Sequence, residues 1–125
     1  MIEIAPGWSL DAERGPDWLY VRVVGPMEFT SDEIPLAEHV WALMEQHFVN
    51  RVVLEFDDTP ILYSRLIGEL VALQKRITNN GGLIRLSGLN AAAKETLRSV
   101  RLDEQLPCFA DRGSAVMGHR PNKPR

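Results

Sequence analysis

Arg51-Val52-Val53-Leu54-Glu55-Phe56, followed by Asp57-Asp58-Thr59-Pro60 and then an amphipathic run from Ser64 to about Thr78, decides the fold. The first six residues are almost continuously apolar and rich in β-branched side chains. That is the pattern of a strand buried on both faces. The two acids, threonine and proline break it. In the run that follows, Leu66, Ile67, Leu70, Val71, Leu73 and Ile77 recur at spacings of three and four, which makes one apolar stripe on a helix. Asn79-Asn80-Gly81-Gly82 stops that helix. Leu83-Ile84-Arg85-Leu86-Ser87 is the next strand. Strand, helix and strand in this order form a βαβ unit with parallel strands and a right-handed crossover.

Working outward, the N-terminal side carries two strands, Trp8 to Glu13 and Trp18 to Val24, around the turn Arg14-Gly15-Pro16-Asp17. Gly25-Pro26 ends this hairpin. A helix follows, with Thr30, Ser31 and Asp32 as N-cap residue types and Leu36, Val40, Leu43 and Met44 as its apolar stripe. On the C-terminal side Asn90 is the expected N-cap of a helix from Ala91 to about Val100. A small strand is expected around Cys108-Phe109, and a last helical turn from Asp111 to Met117. The expectation is a single α/β domain over residues 1–117. It has a mixed sheet of four or five strands, an N-terminal antiparallel hairpin at its edge, parallel βαβ units and about four helices. Residues 118–125 read as a basic tail.

The chain has 125 residues, 45% hydrophobic and 25% charged, which excludes disordered and fibrous classes. Its net charge is -3, and because Arg120, Lys123 and Arg125 sit in the tail, the rest of the chain carries -6. An acidic body argues against nucleic-acid binding. One cysteine, Cys108, excludes an internal disulfide and a cysteine-cluster metal site. The N-terminus shows no signal-peptide pattern and no apolar run is long enough for a membrane span, so a cytoplasmic location is expected.

Catalytic signatures are missing. No G-x-S-x-G, P-loop or G-x-G-x-x-G pattern occurs. His39 and His47 lie eight apart on one helix, outside the i, i+4 spacing of a zinc pair. No catalytic residue, cofactor or metal is therefore expected. The Asp57-Asp58 pair follows a buried parallel strand, where ligands gather in open α/β sheets. It fits a Mg²⁺ site, a phospho-acceptor as in receiver domains, or plain turn acids. Ser64, where the second helix starts, fits an inert cap or a phosphorylation site.

The segment from Val52 to Phe56, the polar turn to Ser64, Leu73-Gln74-Lys75-Arg76 with Asn80-Gly81-Gly82, Leu83 to Leu89, and Val100 through Pro107 to Val116 together resemble the STAS domain, the family of sulfate transporters and anti-sigma factor antagonists. Val24 to Ala37 resembles the family's passage from second strand to first helix. The resemblance implies a non-catalytic signalling module that binds an anti-sigma factor or serine-kinase-like protein. In that family a Ser or Thr at the start of the second helix is phosphorylated to switch binding off, within a pattern of Asp, Ser, Ser or Thr, and Gly. Tyr63, Ser64, Arg65 and Leu66 occupy those positions here. Arg65 thus stands at the acceptor position, and only Ser64 keeps a hydroxyl. Arg65 cannot take the phosphate and puts a positive charge where the switch adds a negative one.

The resemblance assigns the partner surface to Asp57, Asp58, Thr59, Tyr63, Ser64, Arg65 and Leu66, with Phe29, Thr30, Gly88 and Asn90 beside them. Alternatives are a nucleotide- or lipid-binding STAS domain and a scaffold or assembly subunit. The chain is expected as a monomer or homodimer.

Overall fold

The computed structural model describes residues 1–26, 33–57, 62 and 64–118. Its strands are β1 (Ile2–Ala5), β2 (Trp8–Arg14), β3 (Leu19–Val24), β4 (Arg51–Glu55), β5 (Leu83–Ser87) and β6 (Cys108–Phe109), and its helices α1 (Leu36–Gln46), α2 (Ser64–Asn79), α3 (Ala91–Ser99) and α4 (Arg112–Met117). They form one mixed six-stranded sheet in the order β1-β2-β3-β4-β5-β6. β1, β2 and β3 pair antiparallel, and β3 through β6 pair parallel. The α/β class, the hairpin edge and the βαβ units are as expected from sequence. The sheet has six strands rather than four or five, because β1 adds a strand beyond the hairpin.

The alternation of β2 follows from period-two patterning: Trp8 and Leu10 are buried, while Asp11 and Glu13 are not on that face. β4 has no such alternation. Val52 and Leu54 enter the main core beneath α1, α2 and α3, and Val53 and Glu55 are buried on the other face. On the main face Leu36, Val40 and Met44 of α1 and Leu66, Leu70, Leu73 and Ile77 of α2 close over Leu19, Val21, Val23, Leu54 and Leu86. A fully buried leucine or isoleucine contributes about 1.5–3 kcal/mol, so these stripes dominate the stability.

The second face is smaller and partly ionic. Val53, Phe109, Trp18 and Ala115 cluster beneath α4. Arg85 lies over the rings of Trp18 and Phe109, at 5.1 and 5.8 Å, and donates to the carbonyl of Ala115 at 2.8 Å. It thereby satisfies a C-terminal carbonyl of α4. Arg112 makes a forked pair with buried Glu55, Nε to Oε2 at 2.7 Å and Nη2 to Oε1 at 2.9 Å, and stacks on Tyr20 at 4.1 Å. The Glu55 contact is the main cause that raises the Arg112 guanidinium above its ordinary value, so the pair keeps its positive member at every physiological pH. Asp111, the N-cap of α4, accepts from the Ser114 amide at 2.8 Å, and that bond lowers its carboxyl below the ordinary range.

α1 begins later than the cap residues suggest. Thr30, Ser31 and Asp32 lie outside the described residues, and Glu33 to Pro35 are not helical. Pro35 disfavours helix at the residue before it and itself stands at the N-cap without a side-chain capping bond. α3 starts as expected, with Asn90 Oδ1 accepting from the Ala93 amide at 2.8 Å.

Three helices end in the same way at the opposite end of the sheet. In α2 the Gly82 amide reaches back to the Ile77 carbonyl at 2.9 Å, with Gly81 at φ +76° between them. This is a Schellman turn with glycine where the left-handed backbone demands it. A Cβ on Gly82 would meet the Asn50 carbonyl oxygen, so the second glycine serves space rather than conformation. α1 makes the same turn, Val49 amide to Met44 carbonyl at 3.1 Å, with Phe48 at φ +56°. α3 makes it with Leu102 to Leu97 at 2.9 Å and Arg101 at φ +60°.

A phenylalanine in the left-handed region costs about 1–2 kcal/mol relative to glycine. Its ring is 91% exposed, so truncating it removes little buried surface. Phe48→Gly is therefore expected to stabilise the protein in dilute solution by about 1 kcal/mol, read by urea unfolding, whereas Gly81→Ala should lose a similar amount. On the other face, Arg112→Met leaves the Glu55 carboxylate buried without its partner and should cost about 3 kcal/mol in the same assay.

Candidate functional site at the carboxyl end of the parallel strands

Because β3, β4, β5 and β6 run in one direction, the segments that leave their carboxyl ends converge at one end of the sheet. α1, α2 and α3 start there. Asp57 follows β4, Ser64 and Arg65 open α2, and Gly88 to Asn90 connect β5 to α3. The parallel pairing continues one residue past the strands: the Phe56 amide donates to the Ser87 carbonyl at 2.9 Å.

That register brings Asp57 against Gly88. Gly88 has φ +76°, and a Cβ built there would lie 2.6 Å from the Asp57 carboxyl atoms. Glycine is thus required twice, for the left-handed backbone and for the approach of the carboxylate. The Gly88 amide donates to the Phe109 carbonyl at 3.2 Å, which fixes this loop to β6. Leu89 points into the core, and Asn90 is committed to capping α3. Asp57 is exposed.

In the first turn of α2, Ser64 and Arg65 are exposed, and Leu66 is completely buried. This corrects one expectation: Leu66 belongs to the apolar stripe with Leu70, Leu73 and Ile77 and does not face outward as a contact residue. Its period in the sequence already carries that information. Asp58, Thr59, Tyr63, Phe29 and Thr30 lie outside the described residues.

Beside Arg65 runs an open groove of about 830 Å³. Its walls are Arg65, Glu69 and Arg76 from α2, the approach to α1 at Glu33, Ile34 and Pro35 with Ala37 and Glu38, and the β1–β2 turn at Ile4, Ala5 and Pro6. Glu69 has a structural task at its base. Its Oε1 accepts from the Ala37 amide at 2.8 Å, so α2 caps α1 in place of a local side chain. A carboxylate at this N-terminus also meets the favourable end of the helix dipole. Arg76 lies over the Trp41 ring at 4.7 Å and ties the two helices further down. Glu69 and the groove were not anticipated from sequence. The signal for Glu69 was its place three residues after Leu66, at the border of a buried stripe, where a carboxylate needs a partner.

Among the described residues no group of three or more His, Cys, Asp and Glu side chains is placed to hold a metal ion. His39 Nδ1 lies 2.9 Å from the Pro35 carbonyl. No helix among the described residues is long and apolar enough to cross a membrane.

The family model of the STAS domain matches residues 9–115. The chain belongs to the STAS domain family. No curated protein matches it in sequence. Solved structures share its fold. An anti-sigma factor antagonist from Mycobacterium paratuberculosis superposes with a TM-score of 0.73 at 14% identity, covering 94% of this chain and 97% of that one. A putative anti-sigma factor antagonist from Thermotoga maritima gives 0.67 at 18% identity, with 87% and 92% covered. The phosphorylated form of the Bacillus cell fate determinant SpoIIAA gives 0.64 at 11% identity, with 89% and 100% covered.

The trans cap is open to test. Glu69→Ala removes the acceptor of the Ala37 amide and should lower stability by about 1 kcal/mol. Hydrogen exchange should show the added opening at the start of α1, and a uniform change over the whole sheet would contradict the capping role.

Proposed function

We propose that this STAS domain is a non-catalytic regulatory module that binds a protein partner of the anti-sigma factor or serine-kinase type through the carboxyl end of its parallel strands, and that its phosphorylation switch is retired. One observation carries the reading. By the sequence resemblance Arg65 stands where the family carries its phospho-acceptor, and it is exposed in the first turn of α2, in the wall of the groove. A fixed positive charge there opposes the helix dipole. Exposed at the surface, it suits an acidic group on a partner. The module then binds constitutively, with no phosphate to release it.

The groove favours a second reading, a bound small molecule such as a nucleotide or lipid, because ligand sites are concave. Its lining weighs against an anionic ligand, since among the described residues Glu33, Glu38 and Glu69 outnumber Arg65 and Arg76.

Affinity capture from the native host tests the proposal, with the recovered partner then titrated against variants. Arg65→Glu should weaken binding at least about tenfold without loss of folding, because the substitution suits the helix N-terminus. Ser64→Ala should leave affinity unchanged. Absence of any kinase-like or sigma-linked partner, or Arg65→Glu binding at full strength, would overturn it. A melting temperature raised by nucleotides or lipids would favour the second reading.

A further inference from the structure

Opposite the candidate partner surface, at the amino ends of the parallel strands, Phe48 carries two costs at once. Its backbone is left-handed at φ +56°, and its ring is 91% exposed. The same Schellman turn in α2 uses Gly81, so the fold does not need an aromatic side chain at this position. Phe48 and Val49 form one side of a groove of about 460 Å³ whose other side is the β2–β3 turn and the entry to β4, with Arg14, Pro16, Asp17 and Arg51 in its wall. Leu83, 41% exposed, stands in register with Arg51 on the neighbouring strand.

We propose that this end of the domain is a self-association surface, on which two copies meet about a two-fold axis with each Phe48 ring seated in the groove of the other. The patch carries both the projecting ring and the recess that receives one, which is the condition for an isologous contact. Arg14 and Arg51 line the recess, and guanidinium groups attract the face of an aromatic ring. Arg51 already lies 5.9 Å from the ring of Trp18 within its own chain. Arg14 and Asp17 line the same recess, so a two-fold axis running between them sets Arg14 of each copy against Asp17 of the other. An acidic partner would match the arginines and leave Asp17 facing a like charge; a second copy matches both. The contact leaves the Arg65 end of each copy free, so a dimer presents two partner surfaces pointing apart.

Sedimentation equilibrium over a wide concentration range is the test. The wild-type mass should rise from monomer to dimer at micromolar to sub-millimolar protein. Phe48→Gly should weaken association at least about tenfold while the melting temperature in dilute solution stays level or rises, which separates loss of contact from loss of fold. Arg14→Asp and Asp17→Arg should each weaken the dimer, and the double variant should restore it. A wild-type monomer at every concentration, or self-association that survives Phe48→Gly, would overturn the proposal.

Discussion

Everything in this domain is referred to β4, a strand buried on both faces and paired in parallel on both edges. Val52 and Leu54 join it to the helical layer, and Val53 and Glu55 join it to α4. Such a strand has no freedom to slip, because a shift of one residue would drive Glu55 into the apolar core. Its carboxyl end is therefore a fixed point. Asp57, the start of α2 and the Gly88 loop inherit their positions from it. The ion pair of Glu55 and Arg112 has the same logic on the second face: it fastens a short helix over a strand that otherwise presents a buried charge.

What could be read in the sequence was whatever depends on local pattern. The Val52 to Phe56 run, the α2 stripe, the Gly81-Gly82 stop and the Asn90 cap all state their structure within a few residues. What could not be read depends on distant partners. β1 is four residues held by pairing with β2. The start of α1 depends on Glu69, which lies 32 residues from the amide it caps. Arg112 lies 57 residues from Glu55. Phe48 and Arg101 take the left-handed place that glycine signals in α2, so composition gave no sign of their turns. At the candidate site Arg65 and Ser64 were legible as surface residues opening α2, whereas the groove beside them needs three separate elements to exist.

Local stability is spent at both ends of the molecule. At one end an arginine sits against the positive end of a helix, and at the other a phenylalanine sits in a backbone conformation made for glycine. Both residues are exposed. Between the two ends the sheet is rigidly packed, with β4 connecting them. That arrangement suits a module whose two ends meet different surfaces while its interior stays unchanged.

The central claim, that Arg65 has replaced the switch rather than moved it, is tested most directly by the intact mass of the protein taken from its own host, with and without phosphatase. The account predicts one unmodified mass under every growth condition. A phosphatase-sensitive species about 80 Da heavier that maps to Ser64 would contradict it, because the acceptor would then have shifted by one residue and survived.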